Sequence, residues 1–379
     1  MDRCAAARMN NKSLGSDLEI EILLHLPVKS LMRFKCVEKS WNILIKSPSF
    51  VNRWRRHNSK YDKGHSLMIY HRPIDGFKPP YITLLSCDGG EELEHIYFCS
   101  LFPGDQFVDR IETYGNCNGV FFLKAFYRNS TLGHLILWNP TTKQVHLIPP
   151  APSFCHSKYD DSLYGFCAFN DDCSINFKVV RLQQCAHVEK MIIPSGAEVY
   201  DLSTKSWTPV HHPPSFNRIP VRYNPSYTPV VNCVYHWIVT VDLYTTSNII
   251  CFDFHNNQFH QLKAPCRHVQ HSSENIAEIK GSLAYILEYH HPSPTQLEIW
   301  IMDQNRWTKI YNIGPVPWTC CISDFWKDGD QVFGGKVGKL LASYDDQGNS
   351  LSDFQIYVLN YYRCLWGSEY LQSITPLST

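Results

Sequence analysis

Apolar and polar residues follow different periods in the two parts of this chain. Between Leu14 and Trp54 apolar residues recur every three or four positions, which predicts three short helices. The first helix carries Leu18, Ile22 and Leu26 on one face. The second and third have apolar faces made of Leu31 and Phe34 and of Trp41, Leu44 and Ile45. Further along, apolar residues come in short runs separated by Gly, Pro, Asn and Asp, which predicts a β-rich body.

Chemical signals mark where the helices begin and end. Ser16 and Glu19 have the spacing of a capping box, in which each side chain accepts a hydrogen bond from the other residue's backbone N–H. Pro27 ends the first helix, because its ring removes a donor and clashes with the preceding turn, and it suits the first turn of the second. Ser47 and Pro48 are predicted to end the third helix.

The small size of this helical segment leaves two interpretations open. About forty residues are too few to bury so much apolar surface alone. The segment is therefore either a helical subdomain packed on its own body or a docking module whose surplus apolar face belongs to a partner.

The β-rich body contains a repeat of about fifty residues. Five times a short apolar strand ends in Asn or Asp, a polar turn follows, and a bulky apolar residue comes soon after. The Asx side chain caps the turn, and the apolar residue packs the hairpin onto the next sheet. This pattern is typical of kelch-like propeller blades, with an irregular β-sandwich as the alternative. The turn residues are Asn139, Asp201, Asp253, Asp303 and Asp345, followed by Val145, Trp207, Phe259, Trp307 and Leu351.

Charge is distributed unevenly along the chain although the 379 residues carry no net charge. The absence of net charge argues against general nucleic-acid binding. Residues 1–60 hold 12 basic and 5 acidic residues, a net charge of +7, so the rest of the chain carries −7. An acidic body favours a basic partner.

Other signals in the sequence predict a cytoplasmic protein. Met1–Ser13 has no apolar centre, which predicts no secretory signal, and no apolar run approaches the length of about eighteen residues expected of a membrane span. The 15 cysteines are scattered without a Cys-x-x-Cys pair and are read as reduced thiols. We find no pattern that predicts a metal site, a cofactor, a small-molecule substrate or catalytic residues.

The helical segment resembles a plant F-box. The runs LPVKSLMRFKCV and KSWNILIKSPSF match that family's core almost residue for residue, with Gly15 as a departure where the family usually has Pro. The resemblance implies that this module binds the Skp-type adaptor of a cullin–RING ubiquitin ligase. The adaptor-binding residues it implies are Leu14, Leu18, Ile22, Leu26, Pro27, Val28, Leu31 and Phe34, whereas Trp41 and Leu44 would hold the helices together.

The body resembles the F-box-associated domain that follows plant F-boxes. The matching stretches are YGNCNG at 114–119, WNPTT at 138–142, AEVY at 197–200 and EIWIM at 298–302. The chain is similar to the S-locus F-box group in particular, through PVKSLMRFKC at 27–36, AEVY with the following SW at 206–207, EIWIMD with the following Trp307 and, less cleanly, EYLQSI at 369–374. Members of that group act in pollen as receptors for basic stylar ribonucleases in self-incompatibility, so the resemblance implies a location in the pollen-tube cytosol, with the nucleus as an alternative.

The expected organisation is α+β in two domains. A disordered lead (1–13) precedes a three-helix F-box (14–57), a linker (58–66) and a large all-β, propeller-like domain (67–375) that binds a protein target. Target-binding residues are expected on the loops 88–94, 154–161, 183–194, 211–227 and 290–295. Their acids that would steer a basic target are Glu91, Glu92, Glu94, Asp160, Asp161 and Glu189.

The resemblance thus implies the substrate-recognition subunit of an SCF-type ubiquitin ligase, which marks its target for proteasomal degradation. Two alternatives to this function stay open. The chain could be an F-box receptor for an unrelated plant target. It could also be a propeller enzyme whose F-box only controls its turnover.

Overall fold

The computed structural model describes most of the chain after the lead. The described residues are 17–59, 65–71, 80–86, 92–97, 108–127, 133–152, 162–170, 175–188, 191–211, 229–240, 247–265, 272–289, 295–316, 322–326, 331–335, 340–344, 350–357, 367–371 and 373–377. The expected disordered lead, Leu14 and the Ser16 end of the capping box lie outside these ranges.

The N-terminal part holds four helices in residues 17–59, where three were expected. They are α1 (residues 17–24), α2 (Val28–Phe34), α3 (Lys39–Lys46) and α4 (Pro48–Ser59). The prediction that Ser47 and Pro48 end α3 is confirmed, but the same two residues also begin α4. The Ser47 hydroxyl accepts a hydrogen bond from the backbone N–H of Phe50 at 3.3 Å, and proline suits the first helical position.

The body consists of 24 strands in six antiparallel sheets of four, counted over the described residues. Blade 1 holds β24 (Gly367–Leu371), β1 (His65–His71), β2 (Tyr81–Ser86) and β3 (Glu92–Tyr97). Blade 2 holds β4 (Val108–Cys117), β5 (Val120–Tyr127), β6 (His134–Asn139) and β7 (Gln144–Leu147). Blade 3 holds β8 (Leu163–Asn170), β9 (Ile175–Val188), β10 (Met191–Asp201) and β11 (Ser206–Val210).

The second half of the body repeats this arrangement. Blade 4 holds β12 (Val230–Val231), β13 (Val234–Thr240), β14 (Ser247–Asp253) and β15 (Gln258–Lys263). Blade 5 holds β16 (Ser272–Ile279), β17 (Ser282–Tyr289), β18 (Thr295–Asp303) and β19 (Arg306–Val316). Blade 6 holds β20 (Ile322–Trp326), β21 (Gln331–Gly335), β22 (Leu340–Tyr344) and β23 (Ser350–Tyr357).

The six blades close into a ring, which confirms the prediction of a propeller. Strands on the inner side of successive blades contact each other from β4 through β8, β13, β16 and β20 to β24, with β13 standing next to the short innermost strand β12 of blade 4. The last strand, β24, pairs with β1, so blade 1 is built from both ends of the chain. Blade 1 then packs on blade 2 through an apolar cluster, in which the Tyr70 hydroxyl accepts a hydrogen bond from the Ile111 N–H at 3.1 Å.

The repeated Asx residues cap the outer hairpins of blades 2, 3 and 4 as predicted. Asp303 of blade 5 instead precedes a two-residue turn, and Asp345 lies outside the described residues. Asn139 Oδ1 accepts hydrogen bonds from the backbone N–H groups of Thr141 and Thr142 at 3.0 and 3.2 Å. Tryptophans after the turns of blades 3 and 5 bond to the preceding blade, and not to the next as expected. Trp207 Nε1 donates to the carbonyl of Pro149, and Trp307 Nε1 to that of Lys263.

Antiparallel pairing separates the strand connections onto two faces of the propeller. The turns β4–β5 and β6–β7 lie on one face, and the connections β5–β6 and β7–β8 leave from the other. Helix α4 lies on the first face, because Arg55 Nη1 donates to Asn118 Oδ1 in the β4–β5 turn. Ile175, at the same end of β9, packs against the helical core. We call this the F-box face and the other the distal face.

Candidate functional site

The four helices enclose one small apolar core. Leu31 and Ile45 are fully buried at its centre, and Trp54 of α4 covers it. The remaining buried residues of this core are Leu23, Leu24, Val28, Phe50, Val51 and, from the far end of the chain, Ile374. The helical segment is therefore packed both on itself and on the body.

Helix α1 nevertheless turns two large apolar side chains to solvent. Leu18 is 61% exposed and Ile22 is 63% exposed. Residues four apart lie on the same face of a helix, so the two side chains form one continuous patch. Leu23 and Leu24 of the same helix point into the core, whereas Leu18 and Ile22 lie outside it. An exposed apolar pair on a polar helix is a typical protein-binding feature.

The structure distributes the predicted adaptor-binding residues over three environments. Leu18, Ile22 and Pro27 are exposed, and Leu26 and Phe34 are half-buried at the edge of the core. Val28 and Leu31 are buried, so their side chains support the module from inside and do not reach a partner in this arrangement. The half-buried Phe34 packs on Trp41 with ring centroids 5.2 Å apart, so both Trp41 and Leu44 border the core as expected.

Two exposed apolar residues of this module were missed by the sequence interpretation. Val37, after α2, is 67% exposed, and Ile43 of α3 is 72% exposed. The available signal was helical phase: Ile43 lies off the face that Trp41, Leu44 and Ile45 define.

Polar contacts join α1 to α4 beside the exposed pair. Glu21 of α1 forms an ion pair with Arg53 of α4. The Nε2 atoms of His25 and His57 are 3.2 Å apart, and His25 Nδ1 lies 2.8 Å from the carbonyl oxygen of Glu21. These contacts fix the C-terminal end of α1, and with it the position of Ile22.

The second and third helices expose basic residues. Lys29, Arg33 and Lys39 are exposed on α2 and α3. Partial burial, with a smaller effect of the nearby Lys46, lowers the pKa of Lys35 to about 8. The basic side chains are thus on α2 and α3, whereas the exposed pair on α1 lies beside the exposed acids Asp17, Glu19 and Glu21.

The predicted target-binding loops do not all lie on one face. The segments 154–161, 211–227 and 290–294 join strands whose connected ends lie on the distal face. Glu92 and Glu94 lie in β3, which pairs with β2 and begins on the F-box face. Glu91, Asp160, Asp161 and Glu189 lie outside the described residues.

The predicted loop at 183–194 is wrong in extent. Strand β9 continues to Val188 and β10 begins at Met191, so this stretch is mostly a long hairpin. Pro194 is accommodated at a register shift between the two strands, where a missing N–H does not interrupt the ladder. The prediction failed because Pro and Gly near a strand end were read as a loop.

Buried charges beneath the distal face are paired inside the propeller. Arg181 of β9 lies 3.5 Å from Glu198 of β10 and donates from Nε to Ser162 Oγ at 3.1 Å. In blade 5 the Ser273 hydroxyl donates to the buried Glu288 carboxylate at 2.5 Å. These groups join neighbouring strands and are buried, so their role is structural.

Two other kinds of feature are absent from the described residues. No group of three or more His, Cys, Asp or Glu side chains has an arrangement that could hold a metal ion. Within the same residues, no helix is long and apolar enough to cross a membrane.

Comparison with known sequences decides the family. A family model described as the F-box associated beta propeller domain matches residues 93–366. The chain belongs to this family. It is a plant F-box protein with an F-box-associated domain, in agreement with the resemblance of both its parts. Blade 1 and the residues after 366 fall largely outside the matched range.

Curated plant relatives agree with this assignment, whereas the solved structures are similar only at a low level. F-box protein At1g30790 of Arabidopsis thaliana is 25% identical over 77% of this chain and 73% of its own length. F-box/kelch-repeat protein At3g23880 of the same plant is 25% identical over 83% of both chains. Among solved structures, TolB from Acinetobacter baumannii covers 76% of this chain and 62% of its own, at 15% identity and a TM-score of 0.44. A likeness that low carries no functional conclusion.

Proposed function

We propose that this F-box protein is the substrate receptor of an SCF-type cullin–RING ubiquitin ligase. The exposed apolar pair on α1 carries the proposal, because Leu18 and Ile22 are solvent-exposed in a module whose core is otherwise closed. The F-box family supplies the partner, a Skp-type adaptor that connects to the cullin. The adaptor would cover Leu18 and Ile22, with Pro27, Leu26 and Phe34 at the edge of the contact.

The receptor works by proximity and needs no catalytic residue of its own. It holds a target on the propeller while the adaptor and cullin hold the ubiquitin-charged enzyme. A target lysine is thereby kept at a high effective concentration near the ubiquitin thioester. The distal face is the favoured side for the target, since it lies opposite the helices and leaves both partners room.

The proposed target is a basic protein. The −7 charge outside residues 1–60 supports this, because an acidic body attracts a basic partner and speeds its encounter. The resemblance to the S-locus F-box group makes a basic ribonuclease in the pollen-tube cytosol the first candidate. Asp160, Asp161 and Glu189 are the acids that we propose steer it, because in the sequence they come between strands whose connected ends lie on the distal face. Glu92 and Glu94 lie in β3, which begins on the F-box face, so they and the preceding Glu91 are weaker candidates.

Affinity capture from pollen-tube extract tests both ends of the receptor. The baits are the wild-type chain, a Leu18→Glu, Ile22→Glu variant, and an Asp160→Lys, Asp161→Lys, Glu189→Lys variant. The wild type is expected to retain adaptor, cullin and a basic protein. The α1 variant should retain only the basic protein, and the acid variant only adaptor and cullin.

The same experiment separates the alternatives. Capture of adaptor and cullin with a different protein class would keep the ligase role and replace the ribonuclease. Capture of neither adaptor nor cullin by the wild type would contradict the ligase role. Metal analysis of the purified chain then tests the enzyme alternative, since a stoichiometric metal would direct attention to the channel of the propeller.

A further inference from the structure

A short segment after the last strand crosses from the propeller to the helices. Residues 373–377 follow β24 and lie against the β6–β7 turn on the F-box face. Three of their backbone N–H groups are hydrogen-bonded by side-chain oxygens: Ser373 to Thr141 Oγ1 at 3.2 Å, Thr375 to Ser373 Oγ at 3.1 Å, and Leu377 to Gln144 Oε1 at 3.1 Å. The segment is thus held along its whole length.

Asn139 is the main anchor of this segment. It is fully buried, and its Nδ2 donates to the carbonyls of Ser373 and Thr375 at 3.0 and 2.8 Å. Its Oδ1 caps the β6–β7 turn at the same time.

The identity of residue 139 fits this double role. Blades 3 and 4 have Asp201 and Asp253 at the same position of outer hairpins of the same length. A carboxylate caps such a turn equally well but cannot donate a hydrogen bond. Blade 2 therefore has the amide at the turn that also binds the C-terminal segment.

The segment places one apolar side chain in each of two cores. Ile374 is fully buried among the α1–α4 residues, and Leu377 is buried in the cluster between blades 2 and 3. Between them, residues 373 and 375 are bound by Asn139. Beside this segment, Arg55 bonds to Asn118, and Ile175 of β9 packs on the helical core. The helices are thus connected to the propeller at points far apart in the sequence.

We propose that residues 373–377 fix the orientation of the F-box on the propeller, with Asn139 and Ile374 as positioning residues. In the ligase this keeps the distal face at a constant distance and angle from the adaptor, a consequence that rests on the proposed function. The physical basis is that one chain segment is bonded to blade 2 and buried in the helical core.

Asn139→Asp is the most specific test. It is nearly isosteric and keeps the turn cap, but it places a carboxylate against two carbonyl oxygens. Asp253→Asn is the matched control, since it makes the reverse change at the same turn position of blade 4. A second pair compares deletion of residues 373–379 with deletion of only 378–379.

Hydrogen exchange and small-angle X-ray scattering of the purified chain give the readouts. Asn139→Asp should raise the exchange rates of the amides of Ser373, Thr375 and Leu377 by about tenfold or more. Deletion of 373–379 should raise exchange in residues 17–59 and broaden the distance distribution from scattering. Asp253→Asn and the two-residue deletion should change neither, and the exchange of blades 4 and 5 should remain as in the wild type.

The outcomes separate this proposal from the ligase role. Unchanged exchange in residues 373–377 of Asn139→Asp, or a scattering curve of the longer deletion that superimposes on the wild type, would overturn the positioning role. Adaptor binding is measured on the same samples. Its absence in the wild type would count against the ligase proposal, whereas the positioning role is decided by exchange and scattering alone.

Discussion

Replacing the exposed pair on α1 tests how the F-box recognises its adaptor. Complete burial of a Leu or Ile side chain stabilises a complex by roughly 1.5–3 kcal/mol. Leu18 and Ile22 are 61% and 63% exposed, so each has about 1–2 kcal/mol of this left to gain on binding. Leu18→Glu with Ile22→Glu should therefore cost about 2–4 kcal/mol, a weakening of about 30- to 1,000-fold in Kd.

The assay is calorimetric titration of the purified chain with a Skp-type adaptor. Folding of each variant is checked by its thermal unfolding, which should stay close to the wild type because both replaced side chains already face water. Ile310→Glu is the matched control, since Ile310 is 41% exposed on β19 of the propeller and far from the helices in sequence. It should leave Kd unchanged.

The result that would refute the reasoning is a folded α1 double variant that binds the adaptor as tightly as the wild type. Binding would then have to use other exposed side chains of the module. Val37 and Ile43 would be the next to replace.

Three further predictions concern stability and target association. Leu31→Ala should destabilise the helical module by about 2–5 kcal/mol, because the side chain is fully buried, and urea unfolding of residues 17–59 followed by hydrogen exchange measures it. Burial lowers the pKa of His71 and of His236 to about 4, below the unfolded value of about 6.5. Their contribution is therefore present above pH 6.5 and lost as pH falls toward 4, by about 1 kcal/mol for each histidine between pH 7 and 5.5. Urea titrations at both pH values check this, and His71→Gln with His236→Gln should flatten the dependence. Asp160→Lys with Asp161→Lys should lower the association rate of a basic target and its salt dependence, whereas equal rates at low salt would exclude steering by these acids.

The blades could be predicted from the sequence because their signals are local. An Asx residue at a strand end and an apolar residue past the turn belong to one hairpin, as at Asp253 and Phe259. The unequal spacing of the repeats also has a local cause in part. Strands β9 and β10 have 14 and 11 residues, which lengthens the interval between Asn139 and Asp201.

Features that depend on distant parts of the chain could not be predicted. Strand β24 pairs with β1 across almost the entire sequence, so ring closure and the number of six blades have no local signal. The same holds for Ile374, which lies in the core of the N-terminal helices. The face on which a loop lies also follows from blade order, which is why Glu92 and Glu94 were grouped with acids of the opposite side.

The predicted adaptor-binding residues form one segment of the sequence, but their exposure could not be predicted side chain by side chain. Helical periodicity identifies apolar positions, and it cannot tell a face that packs on the module's own helices from one that faces a partner. Val28 and Leu31 are buried, whereas Leu18 and Ile22 are exposed. An apolar residue that lies off the main apolar face of its helix, such as Ile43, indicates an exposed position more specifically than periodicity does.

Reconstituted ubiquitin transfer tests the central claim most directly. The purified chain is combined with adaptor, cullin–RING scaffold, ubiquitin-activating and ubiquitin-conjugating enzymes, and the target captured from extract. The target should be ubiquitinated with the wild type and not with Leu18→Glu, Ile22→Glu, although the variant still binds the target. Equal ubiquitination with both chains, or none with the wild type while target and adaptor are both bound, would contradict it.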